Sequence, residues 1–140
     1  MKKIAFYARK YKFSVICILL IWYLSVWFIP PHTPLDNVKF MDKWTHFIMY
    51  GGTCSVIWWE YLRSHERLQW SKLFLLAWLA PIAMSGCLEL VQEYLTTNRA
   101  GEWLDLAANA TGCTIGAVIG FVMKYTGIVR APSDLTNSHK

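Results

Sequence analysis

Four apolar runs, each close to the length of a bilayer crossing, leave this chain few ways to fold. Phe13–Ile29, Trp44–Tyr61, Leu73–Leu90 and Leu104–Met123 approach the roughly 20 residues that a helix needs to cross the hydrocarbon core. The second and fourth are interrupted only near their ends, by His46, Glu60, Asp105 and Asn109. With 55% of its 140 residues hydrophobic and eight of them Trp, a soluble domain of this size would expose large apolar patches. No segment outside the runs can build a core of its own. The expectation is an all-α integral membrane protein, a four-transmembrane-helix bundle over residues 1–126 with helices at about 13–29, 44–61, 73–90 and 104–123. The polar stretch 127–140 is expected to be a disordered tail.

The basic start of the chain resembles the first part of a signal peptide. The first run, however, is longer than a cleavable apolar region and ends in Trp27-Phe28-Ile29-Pro30-Pro31 rather than in small residues, so a retained helix is expected. Orientation follows from basic residues. Both termini and the 63–72 connection hold eleven Lys and Arg, against three (Lys39, Lys43 and Arg99) on the other side. The positive-inside rule then places both termini in the cytoplasm. Aromatic residues agree: Trp22, Tyr23, Trp27, Phe28, Trp44 and Trp103 fall at outer helix ends, and Trp58, Trp59, Tyr61 and Trp70 at inner ones. The net charge of +5 is explained by topology and lipid headgroups, and no nucleic-acid partner is expected.

Threading gathers the polar residues at the outer side. Asp42 and His46 are four apart at the start of the second helix, with Tyr50 one turn deeper. Glu89, Gln92 and Glu93 end the third helix, and Asp105 and Asn109 start the fourth, with Arg99 between them. Ionisable groups at a bilayer edge are costly and mark a site by default. A lipid-facing Glu89 would be expensive, so it is expected to turn inward toward Arg99, Lys43 or His46. Candidate catalytic residues are His46, Glu89 and Asp105, and candidate binding residues are Asp42, Lys43, Tyr50, Gln92, Arg99 and Asn109. Each has a plainer role open to it. Asp42 and Asp105 suit helix N-termini, Asn109 suits interhelical hydrogen bonding, and Glu102 reads as a solvated loop charge.

Cys17, Cys54, Cys87 and Cys113 fall one per helix without zinc-motif spacing, so they are read as core fillers. His46 is the only histidine inside an apolar run. No metal and no cofactor are expected. Gly112, Gly116 and Gly120 form a small-xxx-small face for close helix packing, within the bundle or across a homodimer. Neither a nucleophilic Ser or Cys motif nor a phosphate-cradling Gly-rich loop is present.

Two blocks carry a family resemblance. The first runs Asp42-Lys43-Trp44-Thr45-His46-Phe47-Ile48-Met49-Tyr50. The second comprises Glu89 and Gln92, then Arg99, then Asp105 and Asn109, then Gly112 and Gly116. Together they resemble the VanZ-like membrane proteins, the family named for a teicoplanin-resistance accessory protein, over about Asp42 to Gly120. The stretch before Arg99 lacks the proline that the family pattern carries. The resemblance implies a multi-pass protein of a bacterial plasma membrane with a cell-envelope role, including lowered susceptibility to lipoglycopeptide antibiotics. It supplies no reaction. Three functions are carried forward. One is a site engaging an outer-leaflet membrane lipid or lipid-linked cell-envelope precursor. Another is an intramembrane hydrolase or transferase on a polyprenyl-phosphate or phospholipid, with His46 as base, Glu89 or Asp105 as acid and Arg99 as charge stabiliser. The last is a structural subunit of a membrane complex.

Overall fold

Helix is the only regular structure among the described residues of the computed structural model, which are 1–28, 31, 34, 40–97 and 101–129. Arg99, Pro30 and the tail from position 130 lie outside them. Five helices follow one another: α1 (Lys2–Lys10), α2 (Lys12–Val26), α3 (Met41–Ser64), α4 (Trp70–Leu95) and α5 (Trp103–Tyr125). Of these, α4 and α5 are long and apolar enough to cross a membrane, and α2 is apolar but shorter at 15 residues. Helix α3 has 24 residues and carries charge at both ends, with Asp42 in its first turn and Arg63 in its last.

The apolar pattern marks the basic N-terminus only as a flank of the first run, whereas the chain forms a separate helix there. At Tyr11 the backbone leaves helical geometry (φ −118°, ψ 41°) and α2 starts afresh. Nothing on α1 is buried. The new start of α2 has amide groups without helical partners, and Glu60 of α3 supplies one. Its buried carboxylate accepts the backbone N–H of Phe13 and of Ser14 at 2.9 Å and the Ser14 hydroxyl at 2.6 Å. A carboxylate at a helix N-terminus is doubly favourable, satisfying orphan donors and complementing the helix dipole.

In α4 the turn Leu75–Leu79 is π-helical, ending two residues before Pro81. Proline has no N–H to donate and its ring crowds the carbonyl four residues back, so widening the preceding turn relieves both problems. Trp78, within this turn, donates its indole N–H to Thr114 on α5 at 3.1 Å.

The closest helix pair is α3 with α5, and glycines make it possible. A Cβ at Gly112 would strike the Phe47 carbonyl, one at Gly116 would lie 2.7 Å from both the Gly51 carbonyl oxygen and Cys54 Cβ, and one at Gly120 would enter the Trp58 ring. Contacts ascend together along both helices, so α3 and α5 run parallel. The Ser85–Asn109 and Trp78–Thr114 contacts make α4 antiparallel to α5. The glycine face that the sequence left open to a second copy is therefore occupied by α3 of the same chain. Two buried clusters form the core. One holds Ile57, Trp58, Tyr61, Leu62, Leu73 and Ala77, and the other Ile21, Tyr50, Cys54, Leu88 and Cys113. All four cysteines are free thiols.

Candidate functional site

Because α3 and α5 are parallel and α4 runs against them, the first turns of α3 and α5 meet the last turns of α4. The chain enters α3 through Phe40, the only described non-glycine residue with positive φ (63°). Asp42, Lys43 and His46 then project from the first turns of α3 toward Asp105 in the first turn of α5. Lys43 sits at the centre. Its ammonium pairs with Glu102, lies 2.9 Å from Asp105 Oδ1 and 3.7 Å from Asp42 Oδ2. The bond to Glu102 and then that to Asp105 push the Lys43 pKa above its ordinary value, so this amine stays cationic. Charge attraction outweighs its partial desolvation.

Each aspartate divides its carboxylate between two neighbours. While one oxygen faces Lys43, the other faces His46: Asp42 Oδ1 is 3.9 Å and Asp105 Oδ2 is 3.7 Å from His46 Nε2. His46 is 5% exposed and Asp105 4%. The other ring nitrogen of His46, Nδ1, is buried without a hydrogen-bond partner. One atom from each of Asp42, His46 and Asp105 lies within 4.8 Å of the others, so together they could hold a metal ion.

Glu89 is buried, and among the described residues it makes no ion pair with Lys43 or His46. Its carboxylate accepts the backbone N–H of Glu102 at 2.8 Å, and Glu93 accepts that of Gly101 at 3.0 Å. The reason is the same as at Glu60: the amides entering α5 have no helical acceptor, and two carboxylates one turn apart on α4 provide them. A Cβ at Gly101 would collide with the Glu89 carbonyl, so only glycine lets the loop lie this close. Expected partners Arg99 and Lys43 are respectively outside the described residues and engaged elsewhere.

The remaining residues separate by depth. Gln92 donates to the Ser25 carbonyl of α2 at 2.9 Å, tying α2 to α4. Asn109 donates to Ser85 Oγ at 2.7 Å, and its own Oδ1 is buried and unpartnered. Tyr50 is buried in the adjoining core cluster. The structure thus brings together Asp42, Lys43, His46 and Asp105, sets Glu89 beside them as an anchor for α5, and gives Gln92 an interhelical hydrogen bond elsewhere. Two residues escaped the sequence reading. Glu102 is half exposed, as a solvated loop charge would be, and also pairs with Lys43, because the N-cap position of α5 swings it across to α3. Ser85, the acceptor for Asn109, lies four residues before Glu89 on the same helical face, and that spacing is the signal that points to it.

Beside this cluster, between α4 and the start of α5, runs a groove of about 460 Å³. Glu89, Glu93 and Glu102 mark one end, Ala83, Gly86, Cys87 and Leu90 continue it along α4, and Tyr94 and Trp103 also line it. An acidic end on an apolar trough matches a molecule with a hydroxyl-rich or cationic head and an apolar tail. No protein-family model, curated protein or solved structure matches the chain.

Proposed function

We propose that the protein is an integral membrane protein of a bacterial plasma membrane, in which α2 to α5 cross the bilayer with both termini in the cytoplasm, and that its outward-facing polar cluster engages an outer-leaflet amphiphile. The spanning arrangement is supported by the burial pattern: only 28% of the most apolar stretch of α4, and the same share in α5, is buried inside the protein. Apolar surface left facing outward on that scale calls for lipid as solvent. The bias of basic residues supports the orientation.

The observation that carries the binding function is the groove of about 460 Å³ joined through Glu102 to the charged cluster around Lys43. An acyl or prenyl chain lies along Ala83, Gly86, Cys87 and Leu90. Its head meets the carboxylates of Glu89, Glu93 and Glu102, which accept hydrogen bonds from hydroxyl groups of a sugar or glycerol moiety. A lipid-linked cell-envelope precursor has this build. The resemblance of the two sequence blocks to VanZ-like proteins agrees with a cell-envelope role, including lowered susceptibility to lipoglycopeptides.

A second function, intramembrane hydrolysis or group transfer, is favoured by one feature: His46 is buried against two carboxylates, an arrangement that orients an imidazole as a base. One experiment tests both. Lipid-linked precursors are profiled by mass spectrometry in cells making wild type or Asp105→Asn at matched membrane levels. A binder leaves the set of species unchanged and retains one of them on purification. An enzyme makes a species appear or disappear covalently with wild type only. If no envelope lipid is changed or retained, both functions fail.

A further inference from the structure

The cluster around Lys43 carries more negative charge than its own cation can answer. Among the described residues, Asp42, Glu102 and Asp105 surround a single ammonium, an excess of two negative charges. Two of those carboxylates then turn their second oxygen toward one imidazole nitrogen. The separations, 3.7 and 3.9 Å, are too long for hydrogen bonds. They are close to the spacing between ligand atoms around a shared ion: with bonds of about 2.0–2.1 Å, tetrahedral zinc ligands sit about 3.3 Å apart. The ring they face is 5% exposed, and its Nε2 lies beyond hydrogen-bond distance of both oxygens. An ion bound between them would give that buried nitrogen and both oxygens a common partner.

We infer that Asp42 Oδ1, His46 Nε2 and Asp105 Oδ2 form a binding site for one divalent transition-metal ion, zinc or manganese. An imidazole with two carboxylates suits these ions, whereas magnesium and calcium prefer all-oxygen surroundings. The charge of the ion cancels the excess. The Lys43 ammonium lies 2.9 Å from the other oxygen of Asp105 and 3.7 Å from that of Asp42, a charged neighbour to both ligands such as outer-sphere groups supply in metal sites. Three protein ligands leave at least one position open. What fills it depends on the proposed function: an anionic oxygen of the amphiphile's head, a phosphate above all, is the fitting group. The metal site itself stands without that step.

The test uses the full untagged chain in detergent or nanodiscs, stripped with EDTA and equilibrated separately with zinc chloride or manganese chloride. Metal per chain is then read by mass spectrometry after desalting. Wild type retains about one equivalent. Asp42→Asn, at an exposed position that leaves folding intact, and His46→Gln each weaken binding at least about tenfold, while His65→Gln binds like wild type. Zinc-edge X-ray absorption of wild type, which needs no variant, shows oxygen ligands with one imidazole and no sulfur. Failure of wild type to retain metal, binding unaffected by Asp42→Asn and His46→Gln, or sulfur in the shell overturns the site. Lipid retained by the stripped protein is measured in parallel. If lipid stays bound while metal is never taken up, the metal site fails and the amphiphile function stands.

Discussion

Lys43 Nζ lies 2.9 Å from Asp105 Oδ1, linking the first turn of α3 to the first turn of α5. Two parallel helices are pinned by this pair at the end where the site lies, and by glycine packing along the rest of their length.

Removing Lys43 leaves Asp105 buried without its cation, and removing Asp105 leaves Lys43 with only its more exposed partners Glu102 and Asp42. Lys43→Met or Asp105→Leu should each destabilise the protein by about 2 kcal/mol, below the 3–5 kcal/mol of a fully buried pair because Lys43 remains partly solvated. The double variant should recover part of that loss, since neither charge is then stranded. Thermal unfolding in detergent of the two single variants and the double variant gives the coupling directly.

The pH behaviour of Lys43 has a definite sign. Its pKa is raised above the ordinary 10.5, so its contribution is complete below that value and is lost only as pH climbs through the higher folded value. The stability it supplies is therefore flat from pH 6 to 9. The same shift leaves little neutral amine for acylation. At pH 9, a water-soluble acetylating reagent should modify Lys43 more slowly than Lys72, and Asp105→Asn should raise the Lys43 rate while leaving Lys72 unchanged, as read by peptide mass spectrometry.

Much of this site could be read from spacing alone. The four-residue steps Asp42–His46 and Asp105–Asn109 fixed which residues share a face, and apolar runs of bilayer length fixed which helix ends come together. Glu102 could not be read that way, because its role depends on where the loop before α5 delivers the chain, and no periodicity encodes that. Glu60 was hidden for a related reason. Its partners are the backbone amides of Phe13 and Ser14, and backbone groups leave no mark in the residue pattern. The break at Tyr11 that creates those amides falls at no proline or glycine, so nothing local announced it. The direction taken by Gly112, Gly116 and Gly120 was likewise open until α3 was seen filling them.

That filling gives a graded prediction. Gly116→Leu places a side chain where a Cβ already lies 2.7 Å from the Gly51 carbonyl oxygen, and should abolish the folded state. Gly52→Ala, where nothing lies within 4 Å, should leave stability unchanged or raise it by about 0.5–1 kcal/mol. Size-exclusion profiles and melting temperatures separate the two.

Glu60 should matter for folding and for nothing at the opposite end. Glu60→Ala strands the amides of Phe13 and Ser14 and should cost about 1–3 kcal/mol. Lipid and metal retention, measured below the melting point, should match wild type. Loss of either in a folded Glu60→Ala protein would mean that the two ends are coupled.

The central claim is that an envelope amphiphile lies in the groove between α4 and α5. A photo-crosslinking amino acid placed at Leu90, inside the groove, is compared with one at Val118, which is exposed on α5 away from it. After irradiation in living bacterial cells, adducts are identified by mass spectrometry. The account predicts a lipid-linked envelope species enriched at Leu90 and only bulk phospholipid at Val118. Identical bulk-lipid adducts at both positions would contradict it.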